Sequence, residues 1–434
     1  MSYADFLERK SAGVEKIGRE FHPNDVHQYL HTWQREIVAW AATTGRAAIW
    51  ADTGLGKTLM QLEWARLTAN DGTALIVAPL AVCAQTAREA DKIGITATYT
   101  RSGDKLGPGL WITNYEMVEH FDPDMLDAVV LDEASILKQS TGKTRTKLIA
   151  HFANVKYRLS DTATPAPNDP EELTNQAEFL GVSSRVNMLA AYFIHDQDGW
   201  RLKGHAKRPM YRWMSSWAVA IRKPSDMGYP DDGYVLPGLR IIPHTLEVNE
   251  APEGQLFATD LGGVGGRAKI RRSTLAARCE RAAELVAAEP DEPWLLWCGM
   301  NDEAETLAKL IPGSVNVHGA WSPEDKADAL LGFADGKFRV LITKPSLAAF
   351  GLNWQHCARM AFVGLSDSYE AYYQSIRRCY RYGQTRVVDA HIILSSVEQQ
   401  IATNVANKER EAADITANLV AEMSQFRSLE GAQK

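Results

Sequence analysis

ADTGLGKT, residues Ala51 to Thr58, is the stretch on which the reading of this chain turns. An apolar run at 46–50 precedes it and helical spacing over 58–69 follows, so strand, tight glycine loop and helix succeed one another. A phosphate cradle needs that order. Gly54 and Gly56 let backbone N–H groups close on a β-phosphate, and the helix N-terminus adds positive potential. Lys57 is placed to reach the β- and γ-phosphates, and Thr58 to set its hydroxyl on Mg2+. Thr53, Gly54, Leu55, Gly56, Lys57 and Thr58 are therefore the candidate nucleotide contacts. The general pattern G-x-x-x-x-G-K-[ST] is departed from at its first position, which is Ala51. A second GKT at Gly142-Lys143-Thr144 has Leu137 at that position and no strand directly before it; it reads as the start of a basic helix.

Downstream lies VVLDEAS, residues 129–135. A strand ending in Asp-Glu sets two carboxylates at the top of a sheet, beside such a loop. Asp132 is the candidate to hold Mg2+ through water, and Glu133 to orient and deprotonate an attacking water. An acid pair alone is weak evidence, but together with the loop it specifies a nucleoside triphosphatase. Around these motifs, apolar runs at 46–50, 74–78, 110–113, 128–131 and 156–159 alternate with helical stretches. A second block repeats the alternation with runs at 294–298, 315–317, 339–343, 360–364 and 388–394. Several of these runs are continuously apolar, as expected of parallel strands covered on both faces. A helix is expected after Ser322-Pro323-Glu324-Asp325, with Ala327, Leu330 and Leu331 on one face. The fold class is α/β, with two domains of similar size.

The texture changes between the blocks. Residues 200–223 hold seven basic residues (Arg201, Lys203, Lys207, Arg208, Arg212, Arg222 and Lys223) and no acid, interleaved with aromatics. This stretch reads either as a DNA-phosphate surface or as a solvated helical protrusion. A turn-rich segment at 224–238 and the run LGGVGG at 261–266 follow, and the inter-domain connector is expected there. The expected organisation is 1–184, a basic aromatic protrusion over 185–238, and 239–434.

With 434 residues, 47 bases against 54 acids and a net charge of −7, the chain is no polycation, so any nucleic-acid surface is local. The longest apolar run, 74–84, is broken by Pro79 and is too short to span a membrane. The N-terminus lacks an apolar signal-peptide core, and five cysteines with no CxxC spacing read as reduced thiols. A soluble cytoplasmic protein without a membrane partner is expected. His27 and His31 have no intervening glutamate of an HExxH motif, and no GxSxG turn is present.

One further segment carries chemistry: QSIRRCYRYGQ, 374–384. Guanidinium groups stabilise the charge on a transferring phosphoryl group, and on a helix Arg378 and Arg381 share a face at i,i+3. By composition alone, a solvated basic helix is the better explanation.

Taken together, these segments resemble the superfamily 2 helicases and translocases, most closely the Swi/Snf-type branch, from about Gln28 to Gln400. HTWQREIVAW resembles the segment whose glutamine, here Gln34, reads adenine. VAPLAV and TNYEMV resemble first-lobe strand-contacting motifs, and TATPAPN is similar to the family's T-G-T-P-x-x-N. LWCGMNDEAETL, HGAWSPED and LITKPSLAAFGLNW resemble second-lobe motifs in their usual order, and QSIRRCYRYGQ is close to Q-x-x-x-R-x-x-R-x-G-Q. The departures are Ala348 and Ala349 in place of two glycines, and Ser135 after Asp-Glu-Ala.

The resemblance implies two tandem RecA-like lobes, ATP with Mg2+ as cofactors, and Arg378 and Arg381 as catalytic arginines alongside Lys57, Asp132 and Glu133. It adds Gly351 and Asn353 to the nucleotide contacts. It implies nucleic-acid contacts at Pro79, Asn114, Tyr115, Thr164, Thr343 and Lys344, to which the basic stretch would add Lys203, Lys207, Arg208 and Arg212. The implied activity is ATP-dependent translocation on duplex or branched DNA by a minimal motor such as phages and bacteria carry. The alternatives are a strand-separating DNA or RNA helicase, and an ATP-gated DNA clamp without turnover.

Overall fold

The computed structural model describes residues 13–138, 142–197, 199–246, 271–348, 353–365, 368–396 and 399–431. All ten apolar runs are strands. In the N-terminal part these are β1 (Arg46–Ala51), β2 (Thr73–Ala78), β4 (Gly109–Asn114), β5 (Ala128–Asp132) and β6 (Tyr157–Asp161), joined by the short β3 (Ala97–Tyr99). An antiparallel hairpin follows, formed by β7 (Phe193–Asp196) and β8 (Gly199–Leu202), and then β9 (Ala218–Ile221). Apart from the hairpin they form one sheet in the order β3-β4-β2-β5-β6-β1-β9, parallel at every pairing. β2 and β5 are buried along their whole length, as expected of strands covered by helices on both faces.

The second sheet is built from β10 (Leu239–Leu246), β11 (Trp294–Trp297), β12 (Val315–Asn316), β13 (Val340–Thr343), β14 (Arg359–Phe362) and β15 (Val388–Ser395). Its order is β10-β15-β14-β11-β13-β12, again parallel throughout. Two parallel sheets flanked by helices are the tandem RecA-like architecture. The helix expected after Ser322 is Pro323–Ala334, and Ser322 caps it by accepting from the Asp325 N–H at 3.0 Å. The helix after the second GKT is Lys143–His151.

The chain divides differently from the expected 1–184, 185–238 and 239–434. One unit comprises Met1–Asp232 with Glu411–Lys434, and the other Gly233–Arg410. The basic aromatic stretch is not a separate protrusion. Its strand β9 pairs with β1, and Met210, Tyr211, Met214 and Trp217 are buried in the same core as Val77, Val129 and Leu131. The aromatics there are core packing, while the basic residues occupy the outside of the same elements. Leu419 and Val420, near the C-terminus, belong to that core too. The glycine run 261–266 lies outside the described residues, as do Ala349 and Gly351. Among the described residues no helix is long and apolar enough to cross a membrane.

Candidate active site

The loop after β1 takes the shape its glycines allow. Gly54 and Gly56 have φ of 87° and 74°, in the left-handed region that side chains resist. Gly56 is the N-cap of helix Lys57–Ala69, whose first turn therefore opens onto the loop. A Cβ at position 56 would stand 2.4 Å from Gln34 Nε2, so a side chain there would have to displace that amide as well as adopt the left-handed backbone. Gln34 is buried; its amide donates to the Leu55 carbonyl at 2.8 Å, and its Oε1 accepts from the His31 N–H at 2.8 Å. Lys57 Nζ donates to the carbonyl oxygens of Ala51 at 2.9 Å and Asp52 at 3.4 Å, and Thr53 N–H to Asp52 Oδ1 at 2.6 Å. Thr53, Gly54, Leu55, Gly56, Lys57 and Thr58 thus lie together where β1 meets the helix.

Asp132 and Glu133 stand at the end of β5, both buried. Glu133 has φ 57°, a strained conformation for a residue with a Cβ, of the kind that costs about 1–3 kcal/mol. Its Oε2 is buried without a hydrogen-bond partner. Burial, then the neighbouring Glu133, raises the Asp132 carboxyl above the usual carboxylate range, while Lys57 opposes the shift. Ser135 is buried, its hydroxyl 3.5 Å from the Glu133 carbonyl it faces.

The carboxylate that the motif reading missed is Asp161. It ends β6, the strand between β5 and β1, and is paired in register with Asp132 on one side and Ile49 on the other. Residues in register on neighbouring parallel strands point to the same face, so Asp161 and Asp132 lie side by side. Asp161 is fully buried, and neither carboxylate oxygen has a partner. Burial raises its carboxyl, Lys57 opposes, and Asp132 and Glu133 raise it further.

Behind these acids the TATPAPN loop is tied to the sheet. Gln176 Oε1 accepts from Trp50 Nε1 and Ser160 Oγ, each at 2.7 Å, and its Nε2 donates to the Pro165 carbonyl at 2.8 Å. Asn168 is clasped by the Glu172 carboxylate through its backbone N–H (3.1 Å) and side-chain amide (2.8 Å). Neither Gln176 nor Glu172 carries a sequence signal beyond following the motif.

Several expected nucleic-acid contacts are engaged inside the first unit. Tyr115 is buried, and its hydroxyl donates to the Asp132 carbonyl at 2.6 Å. Asn114 accepts from Tyr99 at 3.2 Å and donates to Glu116 at 2.5 Å. Thr164 is buried and Pro79 partly buried. In the basic stretch, Lys203 donates to the Ala190 carbonyl and Arg208 pairs with Glu422, while Arg201, Arg222 and Lys223 pair with Asp196, Asp226 and Asp231. Lys207 and Arg212 lie on helix Lys207–Met214, whose other face is core.

The second unit corrects one expectation. Arg378 and Arg381 do not share a helix face, because helix Tyr369–Ile376 ends before them. Arg378 turns back and is buried, donating from Nε to the Gln374 carbonyl and from Nη2 to Gln374 Oε1, each at 3.0 Å. The chain then bends through turns to Gly383 at φ 88°, and Arg381 is partly exposed. Gln384 closes this segment by donating to the carbonyls of Cys357 and Cys379 at 3.1 and 3.2 Å. Thr343 is buried and donates to the Val317 carbonyl; Lys344 and Asn353 are partly buried.

Comparison with known proteins places these elements. Residues 27–188 match the model of the SNF2-related domain, and residues 277–383 that of the helicase conserved C-terminal domain, together more than half of the chain. Among solved structures, the Sulfolobus solfataricus SWI2/SNF2 ATPase core in complex with dsDNA is 18% identical, with 93% of this chain and 96% of that one covered at a TM-score of 0.45. No curated protein sequence matches.

Proposed function

Since the chain belongs to the superfamily 2 helicases, in their Swi/Snf-type branch, we propose that it is a DNA-dependent ATPase that turns ATP hydrolysis into movement along duplex or branched DNA. The observation that carries this reading is the convergence of Lys57, Asp132 and Glu133 at the carboxyl ends of the strands of a parallel sheet, beside a loop shaped by Gly54 and Gly56.

In this reading the loop N–H groups and Lys57 bind the nucleotide phosphates. Gln34 keeps one amide hydrogen and one oxygen lone pair to spare beyond its bonds to Leu55 and His31, which suits the N7 and N6 edge of adenine. Thr58 and Asp132 would hold Mg2+, and the partnerless oxygen of Glu133 fits a site that awaits polar company. Magnesium, when bound, neutralises charge on the β- and γ-phosphate oxygens. Glu133 orients the attacking water and takes its proton. Arg381 is the stronger candidate for stabilising the transferring phosphoryl group, because it is partly exposed whereas Arg378 is buried against Gln374. The Gln176 bonds to both the TATPAPN loop and β1 support a mechanical route from hydrolysis to that motif, whose Thr164 is a nucleic-acid contact only as the resemblance implies.

The test is phosphate release in the presence of single-stranded, duplex, forked and four-way DNA, and of RNA, together with displacement of a third strand from a DNA triplex. Duplex or branched DNA is expected to stimulate hydrolysis most, with the third strand released and the duplex left paired. Melting of the duplex would favour a strand-separating helicase. Nucleotide binding without phosphate release on any nucleic acid would point to the clamp.

A further inference from the structure

We propose that Asp161 is a second aspartate that holds the divalent cation of this site, acting alongside Asp132 through hydrogen bonds that its oxygens accept from water. The inference rests on the nucleotide site proposed above and adds a residue to it. Three observations carry it.

The first is position. β6 lies between β5, which ends in Asp132, and β1, which leads into the phosphate loop, and Asp161 is in register with Asp132 at the carboxyl ends of these strands. Helix Lys57–Ala69 packs on both β5 and β6, so the two aspartates face the element that begins with Lys57.

The second is satisfaction. Asp161 is fully buried with both oxygens lacking a partner, although a buried carboxylate in a folded protein is ordinarily paired or hydrogen-bonded. A residue whose only task were packing would be served better by leucine or valine at the same volume.

The third is charge. Asp132 and Glu133 repel a charge on Asp161, and the Lys57 ammonium attracts one. A divalent cation placed beside Asp132 would add to the attraction that Lys57 supplies. Among the described residues no three acids, histidines or cysteines converge closely enough to hold a bare ion. In this proposal the cation arrives with phosphate oxygens, and Asp161 would reach it through water.

The test is titration of Mn2+ into the full chain with adenylyl imidodiphosphate, read from the electron paramagnetic resonance signal of the free ion. Asp161→Asn is expected to weaken Mn2+ binding by about tenfold, the lower end of what outer-sphere partners contribute. Binding of the same nucleotide in EDTA is expected to stay at the wild-type level. Asp161→Ser, smaller and with room for a water, serves as a second variant with the same expectation, and thermal unfolding in EDTA verifies that both fold. Asp132→Asn is the positive control. If Asp132→Asn weakens Mn2+ while both Asp161 variants match wild type, Asp161 is a structural acid and the proposal is overturned. If wild type itself takes up no Mn2+ with nucleotide, the nucleotide-site reading fails first, a result distinct from the other.

Discussion

Gln34 and Gly56 are locked to each other: the glutamine amide occupies the space that a Cβ on residue 56 would need, and it braces the loop by its bond to the Leu55 carbonyl. Gly56→Ala is expected to weaken nucleotide binding by about tenfold or more, because the new methyl group displaces Gln34 Nε2 and the left-handed backbone costs about 1–2 kcal/mol more with a side chain. Gln34→Ala removes the brace without the clash. Its expected effect is a raised KM for ATP and a stability loss of about 1 kcal/mol, read by steady-state hydrolysis and denaturant unfolding.

Glu133→Gln keeps the size of a buried side chain and removes its basicity. DNA-stimulated phosphate release is expected to fall by about 100-fold or more, with nucleotide binding retained. Single-turnover hydrolysis and equilibrium binding of a fluorescent ATP analogue check the two halves, and near-normal release would refute Glu133 as the base.

The two arginines should fail in different ways. Arg378→Ala leaves the Gln374 side chain and carbonyl without their charged donor inside the second unit, and a loss of about 2–3 kcal/mol in stability is expected. Arg381→Ala removes a partly exposed group, so turnover should fall while the unfolding midpoint stays near wild type. Equal destabilisation by both substitutions would count against that division.

A pH dependence follows from Asp132, whose carboxyl is raised to about 7. Cation binding needs the ionised form, so Mn2+·nucleotide affinity should weaken as pH falls below that value, by at most about tenfold per unit for one proton. Stability runs the opposite way. The folded state binds this proton more tightly than the unfolded chain does, so the contribution of Asp132 declines as pH rises from the ordinary carboxylate range towards 7. Asp132→Asn should therefore raise the unfolding temperature at pH 8 in EDTA, relative to wild type.

Much of this molecule was legible in its sequence, because strands buried on both faces are spelled as unbroken apolar runs. Each of the ten expected strands is present, and several of them are spelled that way. The strands that escaped notice lack that spelling. β3 is three residues of mixed exposure, the hairpin β7–β8 is largely exposed, and β10 is an edge strand with alternating burial and a proline at 243. β9 is fully buried, yet its four residues follow a basic stretch that drew attention to charge rather than to Met210, Tyr211 and Trp217.

At the site, the loop, Lys57, Asp132 and Glu133 were readable because their spacing is local. Asp161 was not, since one acid before Thr-Ala-Thr-Pro has no meaning until strand register sets it beside Asp132. Arg378 and Arg381 were assigned a helix that the chain leaves at Ile376, where the Arg378 side chain finds Gln374 instead.

Helix Gln399–Gly431 begins in one unit and finishes in the other, delivering Leu419 and Val420 to a core assembled mainly from residues more than two hundred positions upstream. Cutting the gene at the boundary after Asp232 would thus yield an N-terminal half with an open seam of apolar surface. Anyone wishing to study that half in isolation should graft the terminal helix back onto it, or supply it in trans as a peptide.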